Sequence, residues 1–157
     1  MSVRIEGSVI IRGKEEVVGK FISLLMRAHE AMCEDGYFEY KNKTYEFSSE
    51  EAYEYDESTL YAFDFPNGGD EHEELLRFLT DMSKKFKGLS FDVLSIYEYG
   101  SDLDAMVISQ GKAIPHEPFT QKMKEEAELF DWDTYDIPDF INHLTHLIQT
   151  EPLLTQK

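Results

Sequence analysis

Residues 3–35 read VRIEGSVIIRGKEEVVGKFISLLMRAHEAMCED, and this stretch supplies most of the evidence for the fold class. Residues 3–12 are rich in β-branched side chains, which favours a strand with a bulge or bend at Gly7. In residues 14–33 the apolar side chains recur at helical spacing, and Asp35-Gly36 marks the end of that helix. The chain therefore begins with a strand followed by a long amphipathic helix.

The same kinds of pattern predict the rest of the secondary structure. The second helix is expected to be capped by Asp70, with Glu73 as its capping-box partner, and to end at Gly88. The last helix is expected to be capped by Asp136. After the first helix the predicted order is a hairpin at 37–47, a strand at 59–65, the second helix, strands at 89–97, 103–109 and 112–114, and helices at about 120–130 and 138–149.

This order predicts an α+β fold of the ferredoxin-like type, in which two helices each cross between strands of a split βαβ sheet and lie on one of its faces. Extra hairpin strands and a C-terminal helical extension complete the predicted architecture. We expect a single domain, with residues 1–116 as the core and residues 117–157 as the extension packed on it. The apolar stripe at 137–148 is expected to dock on the chain's own sheet, and a homodimer formed through this stripe is the alternative.

Three short motifs in the second half of the chain carry a resemblance to a known group of proteins. The motifs are Phe86-Lys87-Gly88-Leu89-Ser90-Phe91, Tyr97-Glu98-Tyr99-Gly100-Ser101-Asp102 and the turn Gln110-Gly111. With these motifs, this half of the chain resembles small ferredoxin-like proteins of unknown function from phage and plasmid genomes. The resemblance implies a genome context rather than an activity.

The composition argues against several functional classes. The chain has 157 residues, with 32 acidic and 15 basic side chains and a net charge of −17. Such a charge repels nucleic acids and anionic membranes, so we expect no direct binding to either. Cys33 is the only cysteine, which excludes an intrachain disulfide and fits a reducing cytoplasm. No apolar run is long enough to span a membrane, and the first residues do not have the pattern of a secretory signal.

One segment, Ser101-Asp102-Leu103-Asp104, resembles the metal-binding strand of nucleotidyltransferases. The carboxylates of Asp102 and Asp104 would share a strand face and could bridge magnesium to a triphosphate. That family also needs a Gly-Ser pair that opens a helix, whereas residues 91–97, which follow Gly88-Leu89-Ser90, predict a strand. A magnesium-dependent nucleotidyltransferase is therefore an alternative, and the main prediction is a protein without catalytic activity and without a cofactor.

Asp139, His143 and His146 share one face of the last helix and could chelate a divalent metal. Because no fourth ligand can be identified, we expect them to be surface residues without a physiological metal. Residues 131–136, DWDTYD, lack the glycine and the glutamate of an EF-hand loop. Cys33, with no histidine base identified near it, is expected at the edge of the core rather than as a nucleophile.

The acidic residues are segregated along the chain. Between Lys43 and Arg77 there is no lysine or arginine, and between Lys87 and Lys112 every charged residue is acidic. Carboxylates at alternate strand positions, or three to four residues apart on a helix, form rows that can imitate a track of phosphates. Tyrosines between them would add rigid contact area. The predicted partner-binding residues are Glu50, Glu51, Tyr53, Glu54, Tyr55, Asp56, Glu57, Asp70, Glu71, Glu74, Glu98, Asp102 and Asp104.

These patterns lead to one main functional hypothesis. The chain would be a cytoplasmic acidic protein that imitates nucleic acid and inhibits a basic nucleic-acid-binding protein or nuclease complex, as anti-CRISPR and antirestriction proteins do. Its carboxylates would pair with lysines and arginines that normally hold phosphates. The alternatives are an immunity protein or antitoxin that neutralises a basic nuclease toxin, and an acidity that serves solubility without a specific partner.

Overall fold

The computed structural model describes residues 3–48, 60–98, 102–149 and 151–153. The elements in these ranges follow the predicted order closely, and every predicted strand and helix is present within a few residues of its expected bounds. They are β1 (Ile5–Arg12), α1 (Glu15–Asp35), β2 (Phe38–Tyr40), β3 (Lys43–Tyr45), β4 (Leu60–Phe65), α2 (Gly69–Lys85), β5 (Ser90–Tyr97), β6 (Leu103–Ser109), β7 (Lys112–Pro115), α3 (Glu117–Leu129) and α4 (Ile137–Gln149).

Five strands form one sheet in the order β4-β1-β5-β6-β7, and each neighbouring pair is antiparallel. β2 and β3 form a separate two-stranded hairpin. Gly7 lies in β1, an interior strand of the sheet, where it pairs with Phe63 on one side and Ser95 on the other without interrupting either ladder. The predicted bulge at Gly7 is therefore wrong. A Cβ atom at this position would overlap the Leu94 carbonyl oxygen and the Phe63 ring, so the glycine is needed for close approach.

The chain has the predicted α+β composition, but a ferredoxin-like arrangement is not confirmed. β4 and β5 are both antiparallel to β1, which lies between them, so β4 and β5 run in the same direction. The α2 crossover between them is one split βαβ unit. By contrast, α1 and the small hairpin connect β1 to its antiparallel neighbour β4.

Helices cover both faces of the sheet, and each face has its own hydrophobic cluster. On one face α1 and α2 bury side chains such as Phe21 and Phe78 against β1, β4 and β5. On the other face α3 and α4 bury side chains such as Met123 and Leu144 against the same sheet. The apolar stripe of α4 is therefore used inside the chain. Among the described helices, none is both long enough and apolar enough to cross a membrane.

The helix starts differ in how they are capped. α2 starts at Gly69 after Gly68, and no side chain caps it, so the predicted capping box of Asp70 and Glu73 is wrong. The predicted cap of α4 is confirmed, because the Asp136 carboxylate accepts from the backbone N–H of Asp139 at 3.3 Å. The Asp139 carboxylate accepts in return from the Asp136 N–H at 3.0 Å.

A buried ion pair fixes the end of α4 to the sheet. Asp92 is 1% exposed on β5 and accepts from the Arg12 Nε–H of the neighbouring strand at 2.7 Å. The second Asp92 interaction comes from the backbone N–H of Leu153 at 3.1 Å, while Arg12 also donates to the carbonyl oxygen of Ile148. This cluster satisfies a buried charge and attaches the residues after α4 to β1 and β5.

Candidate functional site

The register of the sheet brings carboxylates from distant parts of the sequence to one end of the molecule. Ile5 of β1 pairs with Phe65 of β4 and with Tyr97 of β5, and Ile96 pairs with Leu103 of β6, so these residues mark one end of the sheet. α2 and α4 also begin there. We call this the acidic end, and its described carboxylates include Glu6, Asp64, Asp70, Glu71, Glu73, Glu74, Glu98, Asp102, Asp104, Glu117, Asp136 and Asp139.

The acidic end contains all the predicted partner-binding residues that the structure describes. Asp70, Glu71 and Glu74 lie in the first two turns of α2, and Glu98 and Asp102 lie between β5 and β6. Asp104 lies on β6. The other predicted residues fall outside the described part of the chain: Glu50, Glu51, Tyr53, Glu54, Tyr55, Asp56 and Glu57.

Two of the predicted residues on α2 already have partners within the chain. The Glu71 carboxylate accepts from the backbone N–H and the hydroxyl of Ser48, both at 3.4 Å. Glu74 forms an ion pair with Arg77 at 2.9 Å, which lowers the pKa of the Glu74 carboxyl, and it also accepts from the Glu46 N–H. These carboxylates attach the segment after β3 to α2, so they contribute less free charge than the sequence suggests.

Asp102, just before β6, and Asp104, on β6, form no ion pair with a residue that the structure describes. Burial together with the nearby charges of Glu117 and Asp102 raises the pKa of the Asp104 carboxyl. Burial and the same two aspartates, Asp104 and Asp102, raise the pKa of the Tyr97 phenol. Burial is the largest cause of both shifts, and the neighbouring carboxylates add to it, so an approaching cation would favour the charged form of Asp104.

A cleft of about 540 Å³ opens at the acidic end beside the first turn of α4. Its only cation among the described lining residues is Arg4, which is ion-paired with Asp64 and, at 3.3 Å, with Glu6. The carboxylates of Glu98 and Asp136 line the same cleft, and neither forms an ion pair with a residue in the described part of the chain. The apolar walls are Pro66, Ile96, Ile137 and Pro138. A cleft with apolar walls and acidic groups suits a lysine or arginine side chain, which has an aliphatic stem and a charged head.

The loop between α3 and α4 adds exposed aromatic side chains that the sequence analysis did not assign to the site. Trp132 is 42% exposed and Tyr135 is 51% exposed, next to the acidic residues of the DWDTYD segment. Trp132 is held in place because its indole N–H donates to the Ala127 carbonyl at 2.8 Å and its ring packs 5.0 Å from Phe140. The alternation of acids and aromatics is the signal that could have identified this loop, since rigid exposed aromatics are enriched at binding hot spots.

A buried histidine and serine form a pair that the sequence analysis also missed. His72 of α2 lies 2.9 Å from the Ser95 hydroxyl oxygen, and Asp104 pairs with Ser95 across the β5–β6 ladder. However, His72 is 6% and Ser95 2% exposed, and burial lowers the pKa of His72 to about 4. No substrate can reach the serine in this arrangement, so we interpret the pair as a satisfied polar contact within the core.

The candidate metal ligands on α4 are engaged in separate contacts. Asp139 takes part in the helix cap, His143 lies 3.1 Å from a Glu126 carboxylate oxygen of α3, and the Nδ1 of His146 lies 2.8 Å from the Asn142 carbonyl. No group of three or more metal-binding side chains converges within the described ranges. The nucleotidyltransferase alternative also lacks its helix, because the residues after Leu89 form β5.

The environment of Cys33 requires a correction. The structure places its Sγ 3.8 Å from the Nε2 of His29, one turn earlier on α1, and the cysteine is exposed rather than at the edge of the core. The spacing of four residues on a helix was visible in the sequence.

Comparison of the chain with protein-family models, with curated proteins and with solved structures gave no match. The acidic end is therefore interpreted from its own geometry and charge.

Proposed function

We propose that this protein is a non-catalytic cytoplasmic inhibitor that imitates nucleic acid and occupies the phosphate-binding groove of a basic nucleic-acid-binding protein or nuclease complex. Inhibitors of the anti-CRISPR or antirestriction type act in this way. The observation that supports the proposal is the group of uncompensated carboxylates at the acidic end, centred on Glu98, Asp102 and Asp104.

The spacing of these groups suits a groove built for phosphates. Carboxylates two residues apart on an extended strand lie roughly 6 to 7 Å from each other. Two successive steps along one strand of duplex DNA cover a similar distance, since each step rises roughly 3.4 Å. Asp104 lies on β6 and pairs with Ser95 of β5, so its position is set before binding, and this carboxylate needs little ordering when the partner arrives.

The cleft and the aromatic loop supply the remaining contacts of the proposed interface. A lysine or arginine of the partner would insert between Pro66 and Ile137 and approach the carboxylates of Glu98 and Asp136. Trp132 would add apolar contact area at the rim. Such an interface combines long-range attraction with short-range packing, so its association rate would depend steeply on salt.

An immunity protein or antitoxin for a basic nuclease toxin is the alternative, because it would use the same carboxylates. The two functions differ in the partner and in genome context. A toxin gene beside the gene for this chain would favour the alternative.

The experiment is affinity capture from native host lysate at low and high salt, followed by mass spectrometry and measurement of the affinity for the captured protein. The test variant replaces Glu98, Asp102 and Asp104 with lysine. The control variant places three lysines on α3 with Glu117 left intact, at the exposed positions Glu125, Glu128 and Gln121, so its charge changes by +5 against +6 in the test variant.

We expect the test variant to lose the partner and the control to keep most of its affinity at about 0.15 M salt, where charges are screened beyond about 8 Å. Excess nucleic acid should release the partner from the wild-type protein. Equal affinity and an equal salt slope for the test variant and the wild type would show that the acidic end is not the binding surface.

A further inference from the structure

The lysines of this chain are distributed in a way that its net charge does not explain. Carboxylates outnumber cations about two to one by composition, yet most lysines make no ion pair with any described residue. The paired lysines are Lys20, Lys43 and Lys122. With Lys124 as the exception, the remaining described lysines gather at the end of the sheet opposite the acidic end, and we call this group the lysine end: Lys14, Lys41, Lys84, Lys85, Lys87 and Lys112.

The topology brings these lysines together from four parts of the chain: the β1–α1 loop, the β2–β3 turn, the end of α2 with the loop after it, and the first residue of β7. Arg12 pairs with Ser90, Ser90 with Ser109, and Ser109 with Lys112, so the ends of four strands coincide. The loops that carry Lys14 and Lys87 touch, since a Cβ on Gly13 would lie 2.9 Å from the Gly88 carbonyl oxygen.

The β6–β7 turn and the β2–β3 hairpin complete the group. The backbone N–H of Gly111 donates to the Ser83 hydroxyl at 2.9 Å, which places Lys112 beside the last turn of α2. In the hairpin the ammonium groups of Lys41 and Lys85 lie 5.5 Å and 4.9 Å from the centre of the Tyr40 ring.

The local potential at the lysine end is positive despite the net charge of −17. The eight residues of β1 separate the two ends by about 23 Å at roughly 3.3 Å per residue. At physiological salt the Debye length is about 8 Å, so the acidic end is screened at this distance. The carboxylates close to the lysine end are Glu15, Glu16, Glu39, Asp81, Asp92 and Glu151. Three of them form ion pairs with other cations: Glu16 with Lys20, Asp81 with Lys43 and Asp92 with Arg12. The six lysines outnumber the three that remain.

The helix dipole accounts for only part of this group. Lys84 and Lys85 lie in the last turn of α2, where cations are favourable. Lys14 precedes the N-terminus of α1, where a cation is unfavourable, Lys87 lies in the loop after α2, and Lys112 is the first residue of β7. The helix dipole therefore does not account for these three positions.

We infer that the lysine end binds the sugar–phosphate backbone of nucleic acid. Exposed lysines carry ammonium groups on flexible stems, and these groups can contact successive phosphates without sequence preference. This goes beyond the proposed function, which uses only the acidic end, and it departs from the expectation that net charge prevents contact with nucleic acid. On a nucleoprotein partner the two ends would have separate targets: the basic protein groove for one and the bound nucleic acid for the other.

The test measures fluorescence anisotropy of a labelled 20-nucleotide single-stranded RNA and of a 20-base-pair DNA duplex, titrated with the full chain between about 75 and 300 mM salt. The test variant is Lys87→Gln with Lys112→Gln. The control is Lys122→Gln with Lys124→Gln on α3, which removes the same charge elsewhere. A parallel arm measures cosedimentation with vesicles that contain phosphatidylserine.

We expect a wild-type Kd on the order of 10⁻⁵ M at the lowest salt, at least fivefold weaker binding by the test variant, and unchanged binding by the control. Each lost phosphate contact should reduce the salt slope for single strands by about 0.7. The inference is overturned by the absence of saturable binding, by equal weakening in both variants, or by binding to vesicles without binding to either nucleic acid. Whether or not the lysine end binds nucleic acid, the proposal for the acidic end is unaffected, because the partner-capture experiment tests that surface separately.

Discussion

Burial of His72 predicts a loss of stability in mild acid. Its imidazole lies between α2 and the sheet, 5.8 Å from the Phe63 ring, and burial lowers its pKa to about 4. In the unfolded chain the pKa is about 6.5, so between these values the unfolded state binds more protons than the folded state. The contribution of the neutral His72 imidazole to the free energy of unfolding is complete above about pH 6.5 and decreases as the pH falls. From the two pKa values the loss is about 2 kcal/mol at pH 5 and approaches about 3 kcal/mol below pH 4.

The assay compares the free energy of unfolding at about pH 7.5 and pH 5, from urea denaturation followed by circular dichroism, for the wild type and His72→Gln. The packing cost of the substitution is present at both pH values and cancels in the comparison. The wild type should lose about 2 kcal/mol more than His72→Gln on acidification. His146→Gln, at an exposed position of α4, should behave like the wild type. Equal losses for the wild type and His72→Gln would refute the burial of a neutral imidazole at this position.

Three further predictions concern the sheet. Asp92→Asn should destabilise the fold by about 3 kcal/mol in urea denaturation, because it leaves Arg12 without its buried counter-ion; a loss equal to that of an exposed Asp→Asn change would contradict this. Gly7→Ala should lower the free energy of unfolding by about 3 kcal/mol or more, because the new methyl group overlaps the Leu94 carbonyl. A thermal midpoint within a degree or two of the wild type would contradict the register of β1 against β5. Asp104→Asn should raise the thermal midpoint at neutral pH, because the raised pKa of Asp104 shows that the fold disfavours its charge, and the gain should shrink as the pH falls and the wild-type carboxyl becomes protonated.

The secondary structure was predictable because its signals are local. The helical spacing of residues 14–33 and the polar turn at Gln110-Gly111 both specify structure within a few residues, and α1 and the β6–β7 turn are present as expected. The cap of α4 was predictable for the same reason. The capping box of α2 was not, because Gly68 and Gly69 allow the helix to start earlier and leave Asp70 inside the first turn.

The strand order was not predictable from these local signals. The periodicity of β4 and β1 does not say that they are neighbours, and the ferredoxin-like expectation depended on an assumed crossover. The candidate site has the same limit. The sequence shows that Glu98, Asp102 and Asp104 are acidic, but their place at one end of the sheet depends on the register of β1, β5 and β6, and the position of Glu98 beside α4 depends on the packing of that helix. Likewise, the exposure of Trp132 depends on packing against α4 that no local pattern reveals.

The energetics of the acidic end favour a role in binding over a role in stability. The last turn of α1 contains Glu34 and Asp35 and no basic residue, although carboxylates at a helix C-terminus are unfavourable by about 0.3 to 1 kcal/mol each. This turn lies near the start of α2, because the Met32 sulfur is 3.2 Å from the Phe47 backbone nitrogen and the next residue, Ser48, bonds to α2. The raised pKa of Asp104 reports a second unfavourable charge at the same end. Carboxylates that serve solubility alone could lie at positions where they do not destabilise the fold. The carboxylates at the end of α1 and at Asp104 destabilise it, and a cationic partner would stabilise them.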